Sequence, residues 1–200
     1  MKTQKKNEFA ILRHGKIKSI AGIRLAGQHN ARKREVPNAD PGRITQNRIL
    51  MGSEDLVADW HAAMQRLSVK APRKNSVLLV EQMLTASPGY FRPGNVEAVG
   101  TWQKDRLISW LEATSKFLID QHGGRLVQVV LHLDESTPHI HAMILPAVNE
   151  DDSEQLPSFE QIKVQHRLSA RDLFYGHKRL LQKQQDDYAE YLRGEVPLDL

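Results

Sequence analysis

The spacing of apolar side chains divides the chain into short strands and longer helices. Short runs of branched and aliphatic residues predict strands over residues 9–13, 77–84, 126–133 and 139–146. Apolar residues three and four positions apart predict helices over residues 53–67, 96–121 and 170–192. Residues 15–50 have weak periodicity and are rich in Arg, Asn and Gly, so we predict a loop with short helical pieces there.

The order of these elements favours an α+β fold in which an antiparallel β-sheet is flanked by helices. The last two strands are joined by a short segment, residues 134–138, which suits a hairpin. The three tryptophans have helical core spacing and are expected in the core. Tyr90 and Phe91 lie in a segment rich in Pro and Gly, so we expect them to be exposed and able to stack on nucleic-acid bases.

Composition limits the class of protein. The 200 residues suffice for one domain with a substantial core, and 40% hydrophobic and 26% charged residues are typical of a globular protein. No apolar run approaches ~18 residues and the N-terminus lacks a secretory signal, so we expect a cytoplasmic protein. Because the chain has no cysteine, disulfides and thiolate metal sites are excluded, and a metal would need His, Asp or Glu ligands.

Positive charge is concentrated in the first quarter of the chain. Residues 1–50 contain twelve Lys and Arg against three Asp and Glu, whereas the remaining 150 residues contain 16 against 21. Such an asymmetry favours a polyanionic partner, first of all nucleic acid. A solvated basic arm explains the charge equally well, so charge alone leaves both interpretations open.

Three histidines lie within ten residues around the predicted hairpin. His139 and His141 are two positions apart on a strand and therefore share one face. His132 ends the preceding strand, where hairpin pairing can bring it beside them. Three converging neutral imidazoles leave coordination positions open for water or a phosphate oxygen, as a catalytic metal requires. Asp134 and Glu135 add carboxylates that can orient a ligand or a catalytic group.

We therefore predict a metal site formed by His132, His139 and His141. Scattered structural histidines are the competing interpretation, and the spacing of the three residues and the adjacent acids argue against it. Imidazole ligands alone do not select among zinc, manganese, iron, cobalt and nickel.

The same segment resembles the metal-binding motif of a known family. The pattern His-x-Asp-Glu-x-x-Pro-His-x-His over residues 132–141 is similar to that of the Mob/Pre relaxases of plasmid mobilisation, the MobV class of the HUH endonucleases. Residues 27–32 resemble the family's His-Asn-x-Arg motif, and residues 38–47 resemble the Asn-x-Asp-Pro segment that follows it. The similarity extends over much of residues 20–180 in the expected order, with 53–125 matched by pattern only.

The resemblance implies a fold and a reaction. The fold is an antiparallel sheet flanked by helices. The reaction is a metal-dependent nick in one strand of origin-of-transfer DNA, after which the enzyme stays covalently bound to the 5′ phosphate until the ends are rejoined. The cation is commonly Mn²⁺ or Mg²⁺.

The resemblance also implies partners and a domain organisation. The DNA partner is the plasmid origin of transfer, single-stranded and hairpin. A coupling protein of the secretion machinery and a second copy of the chain, held through a missing C-terminal region, are further implied partners. Residues 1–200 are then a single relaxase domain, the N-terminal catalytic part of a longer protein.

Individual residues acquire roles from the same resemblance. His29, in the first motif, corresponds to the proposed nucleophile, and Glu135 to the glutamate that holds and polarises it. A neutral imidazole can attack phosphorus to give a reactive phosphoramidate, so the pairing is chemically reasonable, although spacing cannot show that the two side chains meet. Arg32 is expected at the scissile phosphate. The residues expected to contact DNA are Arg24, Arg32, Lys33, Arg34, Arg43, Asn47 and Arg48.

A tyrosine offers a second candidate nucleophile. Tyr175 begins a Tyr-x-x-Lys pattern on a predicted helix, a setting typical of rolling-circle replication initiators. We favour His29, because a half-buried Tyr175 beside Phe174 explains the pattern as well. Two further functions stay open from the sequence: a non-enzymatic DNA-binding module whose histidines hold a structural metal, and a metal-dependent RNA or phosphoester hydrolase.

Overall fold

The computed structural model describes residues 9–149, 165–176 and 179–195. The strands are β1 (Ala10–Ile17), β2 (Arg48–Met51), β3 (Leu79–Ala86), β4 (Leu126–His132), β5 (His139–Ile144), β6 (Ala147–Asn149) and β7 (His166–Leu168). The α-helices are α1 (Ile20–Asn30), α2 (Leu56–Arg66), α3 (Pro88–Phe91), α4 (Lys104–His122) and α5 (Leu180–Glu195). Among the described residues, no helix combines the length and apolarity needed to cross a membrane.

Five strands form one antiparallel sheet in the order β1-β3-β5-β4-β2, and β6 pairs with β7 in a separate two-stranded sheet. Strands β4 and β5 form the predicted hairpin, in which His132 pairs with His139 and Val130 with His141. The central position of β5 places its histidines in the middle of the sheet rather than at an edge. This sheet and its flanking helices confirm the predicted α+β fold.

Each face of the large sheet carries its own apolar core. On one face, side chains such as Leu84 pack with α4 and α5 around Trp110. On the opposite face, Met143 packs with α1 and α2 around Leu56 and Trp60. Because side chains alternate along a strand, His139 and His141 lie on the same face as Met143, the face covered by α1 and α2.

Residues 15–50, predicted as a loop with short helical pieces, contain an 11-residue helix and a strand that the sequence did not predict. Residues 20–30 form helix α1, whose first turn is capped by Ser19: its side chain accepts a hydrogen bond from Gly22 N. Gly27 suggested a loop, but a Cβ there would lie 2.9 Å from Leu56 Cβ, so the glycine permits close packing of α1 on α2. Strand β2 is also new: it is short, at the sheet edge, and exposed at every residue.

Three further expectations are corrected by the structure. Tyr90 and Phe91 are 1% and 0% exposed. Because helix α3 directs both side chains into the core, they are not available to stack on bases. Helix α4 begins at Lys104 instead of residue 96. The helix predicted over 170–192 is interrupted: a π-helical turn, Arg171–Tyr175, precedes α5.

Candidate metal centre

The β4–β5 hairpin brings the three predicted histidines together. Their imidazole rings lie 5.2 Å apart between His132 and His139, 5.0 Å between His132 and His141, and 5.1 Å between His139 and His141, measured between centroids. His132 is fully buried, whereas His141 is half-buried. The rings therefore meet at a point that is closed on the side of the sheet and open on the other.

A fourth histidine joins this cluster from the last turn of α1. The His29 ring lies 5.6 Å from that of His132 and 5.3 Å from that of His141. Within the described part of the chain, two sets of donor atoms lie within 4.8 Å of one another: His29, His132 and His141, and, second, His132, Glu135 and His139. Of the predicted triad, His141 belongs to the first set, His139 to the second, and His132 to both.

Hydrogen bonds around the rings fix which nitrogen can bind a cation. His139 Nδ1 donates to the Thr137 carbonyl at 3.0 Å, and His141 Nδ1 donates to Glu81 Oε1 at 2.7 Å. Both rings are left with an Nε2 lone pair. Such outer hydrogen bonds are typical of metal-ligating histidines.

His132 is hydrogen-bonded through the opposite ring nitrogen, Nε2 instead of Nδ1. Its Nε2 donates to the Asn30 carbonyl at 3.2 Å, while its Nδ1 is buried and has no hydrogen-bond partner in the described structure. An unpaired buried nitrogen costs free energy unless something binds it. This orphaned atom, beside two imidazoles with free lone pairs, fits a divalent cation.

Electrostatics favour the neutral form of His132, His29 and His139, since the pKa of each is lowered. Burial, and then the charges of His141 and Arg32, lower the pKa of His132 to about 2. The pKa of His29 is also lowered, mainly by burial and then by His141 and Arg32, against the opposing effect of Glu135. Neutral imidazole is the form that binds a metal or attacks an electrophile.

Arg32 ties the end of α1 to the loop between β4 and β5. Its guanidinium donates two hydrogen bonds of 2.7 Å to Asp134 and one of 2.8 Å to Glu135. Arg32 is only 3% exposed at its side chain and Asp134 is 0% exposed. Burial opposes ionisation of Asp134, but the hydrogen bonds and the charge of Arg32 outweigh it and hold the pKa at about 2. Asp134 and Glu135 accept from Arg32 Nε and Nη2, and His29 contacts Nη1, so these groups already occupy the donors expected to contact a DNA phosphate.

Glu135 does not meet His29 directly. Its Oε1 accepts the hydrogen bond from Arg32 and lies 3.7 Å from His139 Nε2. In the described residues no hydrogen bond joins it to His29; instead, Arg32 Nη1 lies 3.3 Å from His29 Nε2. The link implied by the resemblance thus runs through Arg32.

Two of the residues expected to bind DNA have structural contacts instead. Arg43 donates to the carbonyl oxygens of Gly100, Leu133 and Asp134, at 2.9, 3.2 and 3.2 Å. Asn47 Oδ1 accepts from Leu133 N at 2.7 Å. Both side chains hold the turn that follows β4, so their polar groups are directed into the protein rather than toward solvent.

The remaining basic candidates are exposed. Arg24 lies on the outer side of α1, and Arg34 follows that helix. Lys33 forms an exposed ion pair with Glu54 at 2.8 Å, and Arg48 donates to the Thr45 and Asn47 carbonyls from the edge strand β2. These side chains can reach a polyanion.

Tyr175 lies on the other side of the sheet from the histidine cluster. Its ring contacts those of His14 and Phe174, at 6.3 and 6.1 Å, within the core formed by α4 and α5. Its hydroxyl is buried, and burial raises its pKa. The sheet therefore separates Tyr175 from the cluster; Lys178 of the Tyr-x-x-Lys pattern lies outside the described residues.

Sequence reasoning missed Glu81, which holds His141. It is the only acid in the otherwise apolar and amide-bearing strand β3, and that isolated charge was the available signal. Gly15 pairs with it across β1 and β3. A Cβ on Gly15 would lie 3.1 Å from Glu81 Oε2, so the glycine leaves room for the carboxylate.

The cluster opens into a cleft of about 350 Å³, lined among others by His29, Glu135, His139 and His141. Larger cavities occur elsewhere in the described structure: one of about 750 Å³ lies near Arg125 and His166, at the other end of β4. The smaller cleft, not the larger cavity, holds the histidines and Glu135.

The fold is that of a relaxase domain. Crystal structures of the MobM relaxase domain bound to plasmid pMV158 oriT DNA and to Mn superimpose with TM-scores of 0.71 and 0.69, at 21% and 20% identity. Each match covers 94% of this chain and 87% of the MobM chain.

The sequence profile of the plasmid recombination enzyme family matches residues 6–196, and the chain belongs to that family. A 65 kDa protein of Zymomonas mobilis is 34% identical over 141 residues, 69% of this chain. A plasmid recombination enzyme of Bacillus thuringiensis is 29% identical over 186 residues, 90% of this chain. The matched parts make up only 23% and 36% of these two relatives.

Proposed function

We propose that this chain is a relaxase domain that nicks one strand of origin-of-transfer DNA during plasmid mobilisation and keeps the 5′ phosphate in a covalent adduct. The observation that carries the proposal is the cluster of four histidines at an open cleft, in a chain of the plasmid recombination enzyme family. The Mn-bound MobM structures support it by analogy of fold.

His132, His139 and His141 are the residues that would hold the divalent cation, Mn²⁺ or Mg²⁺. When bound, the cation supplies positive charge against the non-bridging oxygens of the scissile phosphate. Their outer partners, the Asn30 and Thr137 carbonyls and the Glu81 carboxylate, orient the rings.

His29 is the proposed nucleophile. Its neutral imidazole nitrogen forms a bond to phosphorus, the bond from phosphorus to the 3′ oxygen breaks, and that oxygen takes a proton from solvent as the 3′ hydroxyl. The result is a phosphoramidate on the 5′ side, which the 3′ hydroxyl can attack to rejoin the strand. The lowered pKa of His29 supports this role.

Arg32 and Glu135 position the nucleophile. Arg32 contacts the His29 ring and carbonyl, at 3.3 and 3.2 Å, while Glu135 and Asp134 fix its guanidinium. This arrangement holds His29 against the cluster and gives Glu135 an indirect part.

The exposed basic side chains of Arg24, Lys33, Arg34 and Arg48 are proposed to contact the DNA backbone. A coupling protein as partner, dimerisation through a C-terminal region, a cytoplasmic location and the assignment of residues 1–200 to one relaxase domain stay predictions.

Nicking of a supercoiled origin plasmid in Mn²⁺ tests the proposal. The wild-type chain should give an open circle with protein on its 5′ end, and EDTA should abolish nicking while folding and DNA binding persist. His29→Ala should reduce nicking at least about 1,000-fold, whereas Tyr175→Phe should leave it unchanged.

Several outcomes would contradict the proposal. An adduct that persists in His29→Ala would exclude the histidine nucleophile, and its loss in Tyr175→Phe would favour a tyrosine replication initiator. Cleavage without a protein–DNA adduct would indicate a hydrolase. Loss of folding with EDTA would indicate a structural metal.

A further inference from the structure

We propose that His29 has a second role as a metal ligand: in the absence of DNA it binds a tetrahedral ion such as Zn²⁺ together with His132 and His141, and DNA must displace it. It follows that His29 cannot attack DNA while it binds metal. This consequence rests on the proposed function, in which His29 is the nucleophile. The metal site itself rests on the structure alone.

The geometry brings His29 as near to a shared ion as the other histidines. The donor atoms of His29, His132 and His141 lie within 4.8 Å of one another. Two nitrogens on one tetrahedral zinc, with bonds near 2.0–2.1 Å, are roughly 3.4 Å apart. To close the site, the three donor atoms must therefore approach one another from within 4.8 Å to about 3.4 Å.

The backbone around His29 is already fixed to the cluster. Helix α1 ends at Asn30, whose carbonyl accepts the His132 Nε2 hydrogen bond. His29 therefore directly precedes the residue that orients the His132 ring. Arg32 holds the His29 carbonyl as well. The ring itself is half-buried and lines the cleft, where a phosphate oxygen can compete with it.

Two overlapping positions for the ion follow from the donor sets. One uses His29, His132 and His141; the other uses His132, Glu135 and His139. Only the first engages His29. A ring nitrogen that shares its lone pair with a metal cannot attack phosphorus, so the nucleophile is freed when the ion leaves His29 and binds His139 together with His132 and His141.

The identity of the metal decides which position is favoured. Zn²⁺ prefers four ligands in a closed tetrahedron, and it binds nitrogen ligands more tightly than Mn²⁺ does. Mn²⁺ accepts oxygen ligands and water readily, so it leaves positions for a phosphate. We therefore expect Zn²⁺ to trap the resting arrangement and to inhibit nicking that Mn²⁺ supports.

The test measures metal binding by the purified chain without DNA. Calorimetric titration with Zn²⁺ should show at least about tenfold weaker binding for His29→Ala than for wild type, with His61→Ala, an exposed histidine of α2, as the matched control. With Co²⁺ as a probe, wild type should give the intense visible bands of a tetrahedral site, and His29→Ala should lose them. His29→Gln repeats the test should the alanine variant not fold.

DNA provides the second arm of the test. An origin single strand should weaken the tetrahedral Co²⁺ bands of wild type, as the phosphate replaces His29. Equal Zn²⁺ affinity and equal Co²⁺ spectra in wild type and His29→Ala would overturn the inference, and so would Co²⁺ bands that DNA leaves unchanged. Failure of the proposed function would give a different result, because His29→Ala would then still form the protein–DNA adduct in Mn²⁺.

Discussion

The carboxylate of Glu81 and the missing side chain of Gly15 act as a pair beneath His141. Glu81 accepts the His141 Nδ1 hydrogen bond at 2.7 Å, and Gly15 faces it on the adjoining strand. Burial opposes ionisation of Glu81, but the contact with His141 outweighs it and lowers the pKa. The carboxylate therefore stays charged and fixes the ring so that Nε2 points away from it.

Glu81→Ala is expected to weaken Mn²⁺ binding about 10–100-fold, because the His141 ring loses its orienting partner. Glu81→Gln, which keeps an acceptor oxygen without the charge, should weaken it less. Gly15→Ala should give a smaller loss in the same direction, since its Cβ presses on Glu81. Calorimetry with Mn²⁺ measures the affinities, and a Glu81→Ala chain with wild-type affinity would exclude this role.

At the scale of secondary-structure elements, α1 and the β4–β5 turn are joined by one buried ion cluster. Arg32 has φ +52, a left-handed conformation that is uncommon outside glycine. That conformation ends α1 and directs the guanidinium at Asp134 and Glu135. The helix carrying His29 and the hairpin carrying the other histidines are thereby held in one arrangement.

Arg32→Met should destabilise the chain by about 3–5 kcal/mol, because it leaves Asp134 buried without its partner. Urea denaturation at neutral pH measures the free energy of unfolding. Arg34→Met, two positions on and exposed, should cost little. Equal loss in the two variants would mean that the ion cluster does not hold the elements together.

A second polar contact joins α4 to the sheet on the opposite face. His122 Nε2 donates to Gln82 Oε1 at 2.9 Å, and the Gln82 amide contacts His14 at 3.0 Å. Burial, then the charges of Arg125 and His14, lower the pKa of His122 to about 3. The folded chain thus binds this proton only at much lower pH than the unfolded chain does.

The free energy of unfolding should therefore fall as pH decreases from about 6.5 toward 3, by up to roughly 1.4 kcal/mol per pH unit from this group. His122→Gln keeps a donor for Gln82 but cannot titrate, so its stability should depend less on pH in that window. Urea denaturation at pH 7, 6 and 5 tests this against His61→Gln. Parallel curves for wild type and His122→Gln would contradict it.

For the whole molecule, the basic residues divide into those that hold the protein and those that face solvent. Arg32 and Arg43 are bound to carboxylates and carbonyls, whereas Arg24 and Arg34 are exposed. Arg24→Gln and Arg34→Gln should each reduce the slope of log affinity for DNA against log salt by about one. Arg43→Gln should instead lower the stability and leave the slope unchanged. Fluorescence anisotropy with an origin oligonucleotide measures the slopes, and equal slopes throughout would exclude these two contacts.

Features encoded by neighbouring residues could be predicted from the sequence, and features that depend on distant contacts could not. Strands β1, β3, β4 and β5, the hairpin and the histidines at positions 132, 139 and 141 were predicted, because alternation and spacing are properties of adjacent residues. Helix α1 was expected only as a short helical piece of a loop rich in Arg, Asn and Gly, and the contact with Leu56 explains the glycine at position 27. Tyr90 and Phe91 were misplaced for the same reason, as their burial depends on α4.

The sequence by itself determined strands β1, β3, β4 and β5, the hairpin that can bring His132 beside His139 and His141, and the identity of the chemical groups. The tertiary structure decided which groups meet: it added His29 and Glu81 to the cluster, withdrew Arg32 and Arg43 from solvent, and put Tyr175 behind the sheet. The physical reason is distance along the chain. Contacts between residues 81 and 141, or 32 and 134, depend on how strands pair and helices pack, and no local pattern encodes that.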